Sequence, residues 1–179
     1  MISVQEVLHR KHFESAKVVA GHKGLDQAIK WIHILEVIDV KHLIKGSELI
    51  LTTGVVLKDN EQGFLQFVQQ LSDLKVAGLC IELGMYIDSI SENVIQLANQ
   101  LKFPLIVFKE IVPFRDITQD LHTFIIHQQY DILKQLEDYS QKINNYVLKV
   151  NDKVKVLQYM QKYLKVNVYF EVNKGASLA

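Results

Sequence analysis

Three short apolar segments, separated by amphipathic ones, constrain the fold of this chain more than any other feature. Residues 46–54 (GSELILTTG), 78–84 (GLCIELG) and 105–108 (LIVF) each adjoin glycine or proline, as buried strands often do. Between them, apolar residues recur at helical spacing over residues 61–74 and 91–101. Strands that alternate with helices are typical of parallel crossover units. The pattern therefore predicts an α/β fold with a small, largely parallel sheet and flanking helices.

The segment after Pro113 is predicted to be one long helix. Residues 114–150 contain neither glycine nor proline, and apolar side chains recur in alternating steps of four and three, as in a coiled-coil seam. The seam consists of Ile132, Leu136, Tyr139, Ile143, Tyr146 and Val150. Such a helix can pair with a second copy or pack on its own chain. We expect the seam to pair two copies, which predicts a homodimer.

The chain is expected to have three parts. Residues 1–113 form the α/β domain, residues 114–150 the linker and dimerisation helix, and residues 151–179 the start of a truncated second domain. Asn151 or Asp152 can cap a further helix, and VNVYF (166–170) alternates like a strand. A strand this late has no partner after it, so we expect a fragment of a longer protein.

Composition excludes several classes of protein. Lysine plus arginine and aspartate plus glutamate both number 20, so no net charge draws the chain to nucleic acid or to an anionic membrane. No apolar stretch approaches the roughly 18 residues needed to span a bilayer. The single cysteine, Cys80, has no disulfide partner within the chain, and the N-terminus lacks the features of a signal peptide. A cytoplasmic location is expected.

Catalytic and metal-binding motifs are missing from the sequence. It contains no HExxH, no CxxC pair, no P-loop and no GxGxxG. Two nearby histidines, His9 and His12, have no carboxylate or cysteine at ligand spacing. Cys80 lies in an apolar strand without a cationic neighbour to activate it. We expect neither an enzyme nor a metal or cofactor site.

Polar residues at the strand ends are the better candidates for a binding site. In an open parallel sheet, ligands bind beyond the carboxyl ends of the strands. These ends hold Thr52, Thr53 and Gly54 after one strand, Glu82 and Gly84 after the next, and Arg115 and Asp116 beyond the last. The two hydroxyls can bind a small polar molecule or satisfy turn backbone. Arg115 can likewise bind a ligand or pair with Asp116.

Two residues that precede these strand ends in the sequence are expected to have different roles, one in the core and one in the site. Trp31 and Glu36 lie in a predicted strand, 31–38, whose alternation places them on opposite faces. Trp31 is expected in the core. Glu36 is expected as a polar group at the end of its strand.

Four segments in order, GLDQAIKWIHILEV, GSELILTTG, VAGLCIELG and FPLIVFKEIVPFRDIT, resemble the N-terminal regulatory domain of the purine-catabolism regulator (PucR) family of bacterial transcription factors. The resemblance covers roughly residues 1 to 125. It implies a regulatory domain that senses a small polar effector from purine, nitrogen or amino-acid catabolism and promotes dimerisation. It also implies that DNA is bound only through a C-terminal helix-turn-helix absent from this chain. A docking module without a ligand is the alternative.

The family pattern can be carried onto individual positions. It falls on Glu36, Glu48, Thr52, Thr53, Gly54, Gly78, Gly84, Pro104, Phe114 and Asp116. Ser47 stands where the family often has a second glycine. The candidate effector-binding residues are therefore Thr52, Thr53, Gly54, Glu82, Gly84, Arg115, Asp116, Glu36 and Glu48. Valine at positions 52 and 53 is expected to weaken effector binding and to leave the fold nearly intact.

Overall fold

A computed structural model describes residues 1–150, 152–165 and 167–169. In chain order its elements are β1 (Ile2–Ser3), α1 (Val4–Leu8), β2 (Ala16–Ala20), β3 (Ala28–Ile29), β4 (Trp31–Ile34), β5 (Glu48–Thr52), α2 (Glu61–Asp73), β6 (Gly78–Glu82), α3 (Glu92–Gln100), β7 (Leu105–Phe108), α4 (Phe114–Lys149) and α5 (Lys153–Leu164). Contacts divide the chain into two compact units, Met1–Gln128 and Gln129–Ala179, within α4. The boundaries expected from the sequence stay a prediction.

The first unit is built on a five-stranded sheet with the order β2-β7-β6-β5-β4. Strands β4, β5, β6 and β7 run parallel, whereas β2 pairs antiparallel with β7 at one edge. The crossovers from β5 to β6 and from β6 to β7 are α2 and α3, as parallel neighbours require. The predicted α/β class, with a largely parallel sheet and a long C-terminal helix, is confirmed.

Helices cover both faces of this sheet. Every residue of the three inner strands is buried, which explains why their sequences are continuously apolar rather than alternating. On one face Ile50, Leu79 and Ile81 pack in a cluster with the apolar faces of α2 and α3. On the other face Leu51 and Cys80 belong to a second cluster, with α1 and the first turns of α4.

An ion pair ties the start of α4 to Arg10, two residues after the end of α1. Arg10 Nε and Nη2 donate to the two carboxylate oxygens of Asp120 at 2.7 and 2.6 Å, and the Arg10 guanidinium lies 4.6 Å from the centroid of the Phe124 ring. Arg10 holds the pKa of Asp120 below its ordinary value through these hydrogen bonds. In the same helix segment, Ile117 and Leu121 are fully buried. The first turns of α4 are thus part of the first unit.

Two expectations about β4 were wrong. Trp31 is 45% exposed rather than in the core, because β4 is an edge strand; its indole lies 4.3 Å from the His122 ring. The strand ends at Ile34, so Glu36 belongs to the loop that follows instead of to the strand.

The described part of the second unit consists of the C-terminal part of α4 and of α5. Tyr146 stacks on Tyr159 at 4.3 Å, and Tyr139 lies 4.9 Å from Tyr163, so two residues expected on the coiled-coil seam pack on α5. Asp152 caps α5 by accepting hydrogen bonds from the NH groups of its first turn, one of the two caps expected. The strand expected at 166–170 falls partly outside the described residues, and residues 167–169 are not in a strand.

The other residues of the expected seam differ in their exposure to solvent. Ile132 and Leu136 are 53% and 58% exposed, and Ile143 and Val150 are half-buried. Pairing with a second copy stays a prediction. Among the helices that the structure describes, none combines the length and hydropathy required to cross a membrane.

Candidate functional site

The carboxyl ends of the four parallel strands lie along one edge of the sheet, where ligands bind in open α/β folds. The last residues of these strands and the loops that follow them contain six of the nine predicted site residues, with Thr52 and Glu82 in the strands. Glu36 follows β4, Thr53 and Gly54 follow β5, and Gly84 follows β6. Strand order thus brings these residues to the same edge of the sheet, which we call the rim.

Thr52 and Glu36 form a hydrogen-bonded unit inside this rim. The Thr52 hydroxyl donates to Glu36 Oε2 at 2.9 Å and accepts from the Gly54 NH at 3.0 Å. The Thr53 NH donates to Glu36 Oε1 at 2.7 Å. Thr52 is only 1% exposed, so its hydroxyl is fully used within the protein. Of the two roles considered for Thr52, the geometry favours closing the turn, and the effect of valine at this position stays a prediction.

Gly54 lets two loops of the rim touch. Its φ is +79°, in the left-handed region that favours glycine. A Cβ at this position would lie 2.6 Å from Ile87 Cδ1, in the loop between β6 and α3. The Gly84 NH, at the start of that loop, donates to the Ile87 carbonyl at 2.8 Å. Gly54 and Gly84 therefore shape the rim through the backbone.

Glu82 connects the end of β6 to the approach of α4. Its side chain is 5% exposed, and its Oε2 accepts a hydrogen bond from the Val112 NH at 3.2 Å. Val112 lies two residues before the first residue of α4. Glu82 is thus placed to hold the start of the long helix rather than to face solvent.

Among the described residues, the remaining predicted site residues form no side-chain hydrogen bond with this rim. Arg115 Nε donates to Asp116 Oδ1 at 3.0 Å, and the Arg115 side chain is 86% exposed, so the pairing considered from the sequence is the one observed. Such an exposed pair contributes little to stability. Glu48 is the first residue of β5 and therefore lies at the amino end of the strand that Thr52 ends.

A polar cavity of about 340 Å³ opens beside the rim, between the loop that precedes α2 and the loop that precedes α3. It is lined by Leu57, Asp59, Asn60, Glu61, Phe64, Tyr86, Ile87, Asp88, Ser89 and Ser91. Ile87 is the residue that Gly54 contacts, so the cavity adjoins the predicted rim through the Gly54 turn. None of the predicted site residues lines the cavity itself.

Two helix N-termini meet at this cavity. Asn60 Oδ1 caps α2 by accepting from the Gly63 NH at 2.8 Å, and Ser91 caps α3. The Asn93 amide donates to Glu61 Oε1 at 3.1 Å, which joins the first turns of the two helices. Ser91 and then Asn93 hold the pKa of Glu61 below its ordinary value. The sequence signal for the two helix N-termini was available, because capping residues precede both amphipathic segments.

The electrostatics of the cavity favour a particular chemistry. Asp59, Glu61 and Asp88 place three carboxylates along its walls, and Ser89 and Ser91 add hydroxyls. Carboxylates attract ammonium or NH groups and repel anions. In the described part of the chain, no three histidine, cysteine or acidic side chains are grouped to hold a metal ion.

Comparison with known proteins identifies related chains. The chain is 24% identical over 147 residues to the purine catabolism regulatory protein of Bacillus subtilis (strain 168), an alignment that covers 82% of this chain and 28% of that protein. It is 23% identical over 101 residues to the transcriptional activator PmfR of Paenarthrobacter nicotinovorans, covering 56% of this chain and 22% of that protein. The chain thus spans less than a third of the length of these relatives.

One solved structure that is similar to the chain is the regulatory region of Clostridium perfringens pyrophosphatase, its CBS and DRTGG domains in complex with the activator diadenosine tetraphosphate. The TM-score is 0.42 at 17% identity, covering 61% of this chain and 42% of that one.

A family model supplies the assignment. The model described as "Purine catabolism regulatory protein-like family" matches residues 6–125, which is more than half of the 179 residues. This range contains the four segments that carry the resemblance in the sequence. The resemblance is therefore confirmed, and the chain belongs to the purine catabolism regulatory protein-like (PucR) family.

Proposed function

We propose that this chain is the N-terminal regulatory part of a bacterial transcription regulator of purine, nitrogen or amino-acid catabolism, and that its α/β unit binds a small polar effector. The observation that carries the proposal is the polar cavity between the N-termini of α2 and α3, at the carboxyl edge of a parallel sheet. The names of the two relatives, a purine catabolism regulator and a transcriptional activator, support the regulatory role. We expect a regulatory protein in the cytoplasm, not an enzyme.

The lining residues indicate the kind of effector. Three carboxylates, from Asp59, Glu61 and Asp88, suit a molecule with several NH groups or a cationic nitrogen. Phe64 and Tyr86 supply an aromatic wall for its apolar part. A volume of about 340 Å³ limits the effector to a small molecule. Nitrogen-rich intermediates of purine or amino-acid breakdown have this chemistry, whereas nucleoside triphosphates do not.

The start of α4 is the expected route of the signal. Glu82 ends β6 and holds the Val112 NH, two residues before α4, so a change at the end of β6 reaches the helix directly. An effector shifts an equilibrium only when it binds one arrangement more tightly than the other. We propose that the effector-bound loops favour one position of residues 109–113 and thereby one arrangement of a homodimer. DNA would be bound by a helix-turn-helix in the remainder of the parent protein.

A thermal-shift screen of the purified chain tests the sensor. The probes are purine-breakdown intermediates, nucleobases, amino acids and nucleotides, with light scattering on the same samples. A hundredfold excess over the dissociation constant raises folding stability by about 2.7 kcal/mol, which moves the unfolding midpoint by several degrees. We expect a nitrogen-rich, non-phosphorylated compound to give this shift.

Two variants test whether the thermal shift arises from binding in the polar cavity. Asp88 is exposed, so Asp88→Asn removes one wall carboxylate without disturbing the core, and it should reduce the shift. Asp131→Asn, the same change at an exposed residue that does not line the cavity, is the matched control. A shift that is equal in the two variants would place binding elsewhere.

A docking module without an effector is the second candidate. Exposed apolar residues at 132, 133 and 136 of α4 favour it, since large apolar side chains clustered on a surface mark interaction sites. Leu136→Asp should then convert a dimer into a monomer without loss of helicity, because Leu136 is 58% exposed. A stable dimer that no probe stabilises would favour this candidate over the sensor.

A further inference from the structure

A second cavity lies at the opposite edge of the sheet, where β4 and β5 begin. Its volume is about 500 Å³, and its walls include Lys30, Trp31 and His33 on one side, Leu43 and Lys45 on the other, and Glu48. The loop before β5 is fixed in place, because the Lys30 NH donates to the Ser47 carbonyl at 2.8 Å. The two cavities are formed by different residues at opposite ends of the strands.

Glu48 is the residue that points to a ligand. It is 4% exposed, and its Oε1 accepts a hydrogen bond from the Lys45 NH at 2.8 Å. Its other oxygen, Oε2, is buried and has no hydrogen-bond donor among the described residues. Buried polar atoms are nearly always paired, since burial of an unpaired carboxylate oxygen is unfavourable. Because Glu48 is one of the residues that line the cavity, a ligand bound there is a candidate donor for this oxygen.

The surroundings of Glu48 define the rest of such a ligand. The side chains of Lys30 and Lys45 are exposed and bring two ammonium groups to the same cavity. Trp31 and Leu43 are 45% and 51% exposed, and the indole is positioned by its contact with His122. The cavity thus combines a buried hydrogen-bond acceptor, two exposed lysines and an apolar wall.

We propose that this cavity binds a small zwitterion of the α-amino-acid class. The ammonium group of the ligand donates to Glu48 Oε2, and its carboxylate pairs with Lys30 or Lys45. An apolar side chain packs on Trp31 and Leu43. Charge-assisted hydrogen bonds of this kind are stronger than neutral ones and select against molecules that lack either charge. The volume lies in the range of small-molecule sites.

Calorimetric titration and thermal shift with L-leucine, and with the other L-amino acids in turn, test the proposal. Two analogues of leucine separate the charges: 4-methylpentanoate lacks the ammonium group, and 3-methylbutylamine lacks the carboxylate. We expect at least one amino acid to bind saturably and to raise the unfolding midpoint, and both leucine analogues to have no effect at the same concentration. Absence of binding by every amino acid, or equal binding by the analogues, would overturn the proposal.

Glu48→Gln is the variant that tests the site. Its amide oxygen can still accept from the Lys45 NH, so the loop contact is preserved, but the charge is lost. Affinity for the amino acid should fall by roughly tenfold or more. If this variant does not fold, Trp31→Leu decides, because Trp31 is largely exposed and its replacement should weaken binding of a leucine-sized ligand. Unchanged affinity in the folded variant contradicts the proposal.

Asp88→Asn distinguishes this site from the proposed effector site. Amino-acid binding that survives Asp88→Asn and is lost in Glu48→Gln supports the amino-edge cavity. Binding that is lost in Asp88→Asn and survives in Glu48→Gln belongs to the carboxyl-edge cavity and overturns the proposal for Glu48. The two proposals can therefore fail independently.

Discussion

The Thr52 hydroxyl gives the sharpest test of how the rim is held. Thr52→Val replaces it with a methyl group of similar size, which removes the donor to Glu36 Oε2 and the acceptor for the Gly54 NH. A hydrogen bond to a charged group contributes about 1.5–3 kcal/mol and a neutral one about 0.5–1.5 kcal/mol. Because Glu36 is half-exposed, water replaces part of the first contribution. We expect a loss of about 2 kcal/mol in the free energy of unfolding, or roughly 5–10 °C in midpoint.

The neighbouring threonine is the matched control. Thr53 is bonded to Glu36 only through its main-chain NH, which a valine keeps. Thr53→Val should therefore change stability by less than about 0.5 kcal/mol. Urea unfolding followed by tryptophan fluorescence is a suitable assay, because Trp31 is the chain's single tryptophan and lies in the same sheet. If Thr52→Val is as stable as Thr53→Val, the idea that the Thr52–Glu36 contact holds the rim is refuted.

Three further predictions concern other parts of the chain. Asp120→Asn should lower stability by about 1 kcal/mol at neutral pH, since the pair with Arg10 is partly exposed. Arg10 lowers the pKa of Asp120, so this contribution is present above the ordinary aspartate pKa of about 3.9 and is lost as the pH falls through the lowered value. The two chains should therefore become equally stable in urea unfolding at the lowest pH. A stability difference that persists there would contradict this prediction. Burial raises the pKa of the Cys80 thiol, so a thiol reagent should label the native chain far more slowly than the urea-unfolded chain, and equal rates would show that the strand opens. Tyr146→Ala removes the stack on Tyr159 and should speed hydrogen exchange in α5 without changing the exchange of the sheet, whereas unchanged exchange in α5 would show that the stack does not hold the helix pair.

Two buried polar residues of the same strand, Thr52 and Glu48, differ in how they are hydrogen-bonded. Thr52 and Glu48 end and begin β5, and both are buried. The hydroxyl of Thr52 is satisfied within the chain, whereas Glu48 keeps one oxygen without an internal donor. Position in the family pattern does not separate these cases, because the pattern includes both residues. The hydrogen bonds of the folded chain distinguish the paired Thr52 hydroxyl from the unpaired Glu48 oxygen.

The sequence alone determined the class of fold and the order of the strands and helices from β5 to α4. Periodicity is a local property, so apolar runs such as LIVF and the helical spacing over residues 61–74 predict buried strands and an amphipathic helix without knowledge of contacts. The same kind of local signal predicted the cap at Asp152. The resemblance to the family was carried by short segments of this kind.

Only the tertiary structure decided which polar groups are free to bind. Trp31 is exposed because β4 is at the edge of the sheet, and strand order is set by contacts between residues far apart in sequence. Glu48 lies apart from Thr52 because the two residues are at opposite ends of β5. The polar cavity was not predicted because its walls come from two loops that meet where Gly54 contacts Ile87. A local pattern identifies the side chains, but their partners depend on the packing of distant segments.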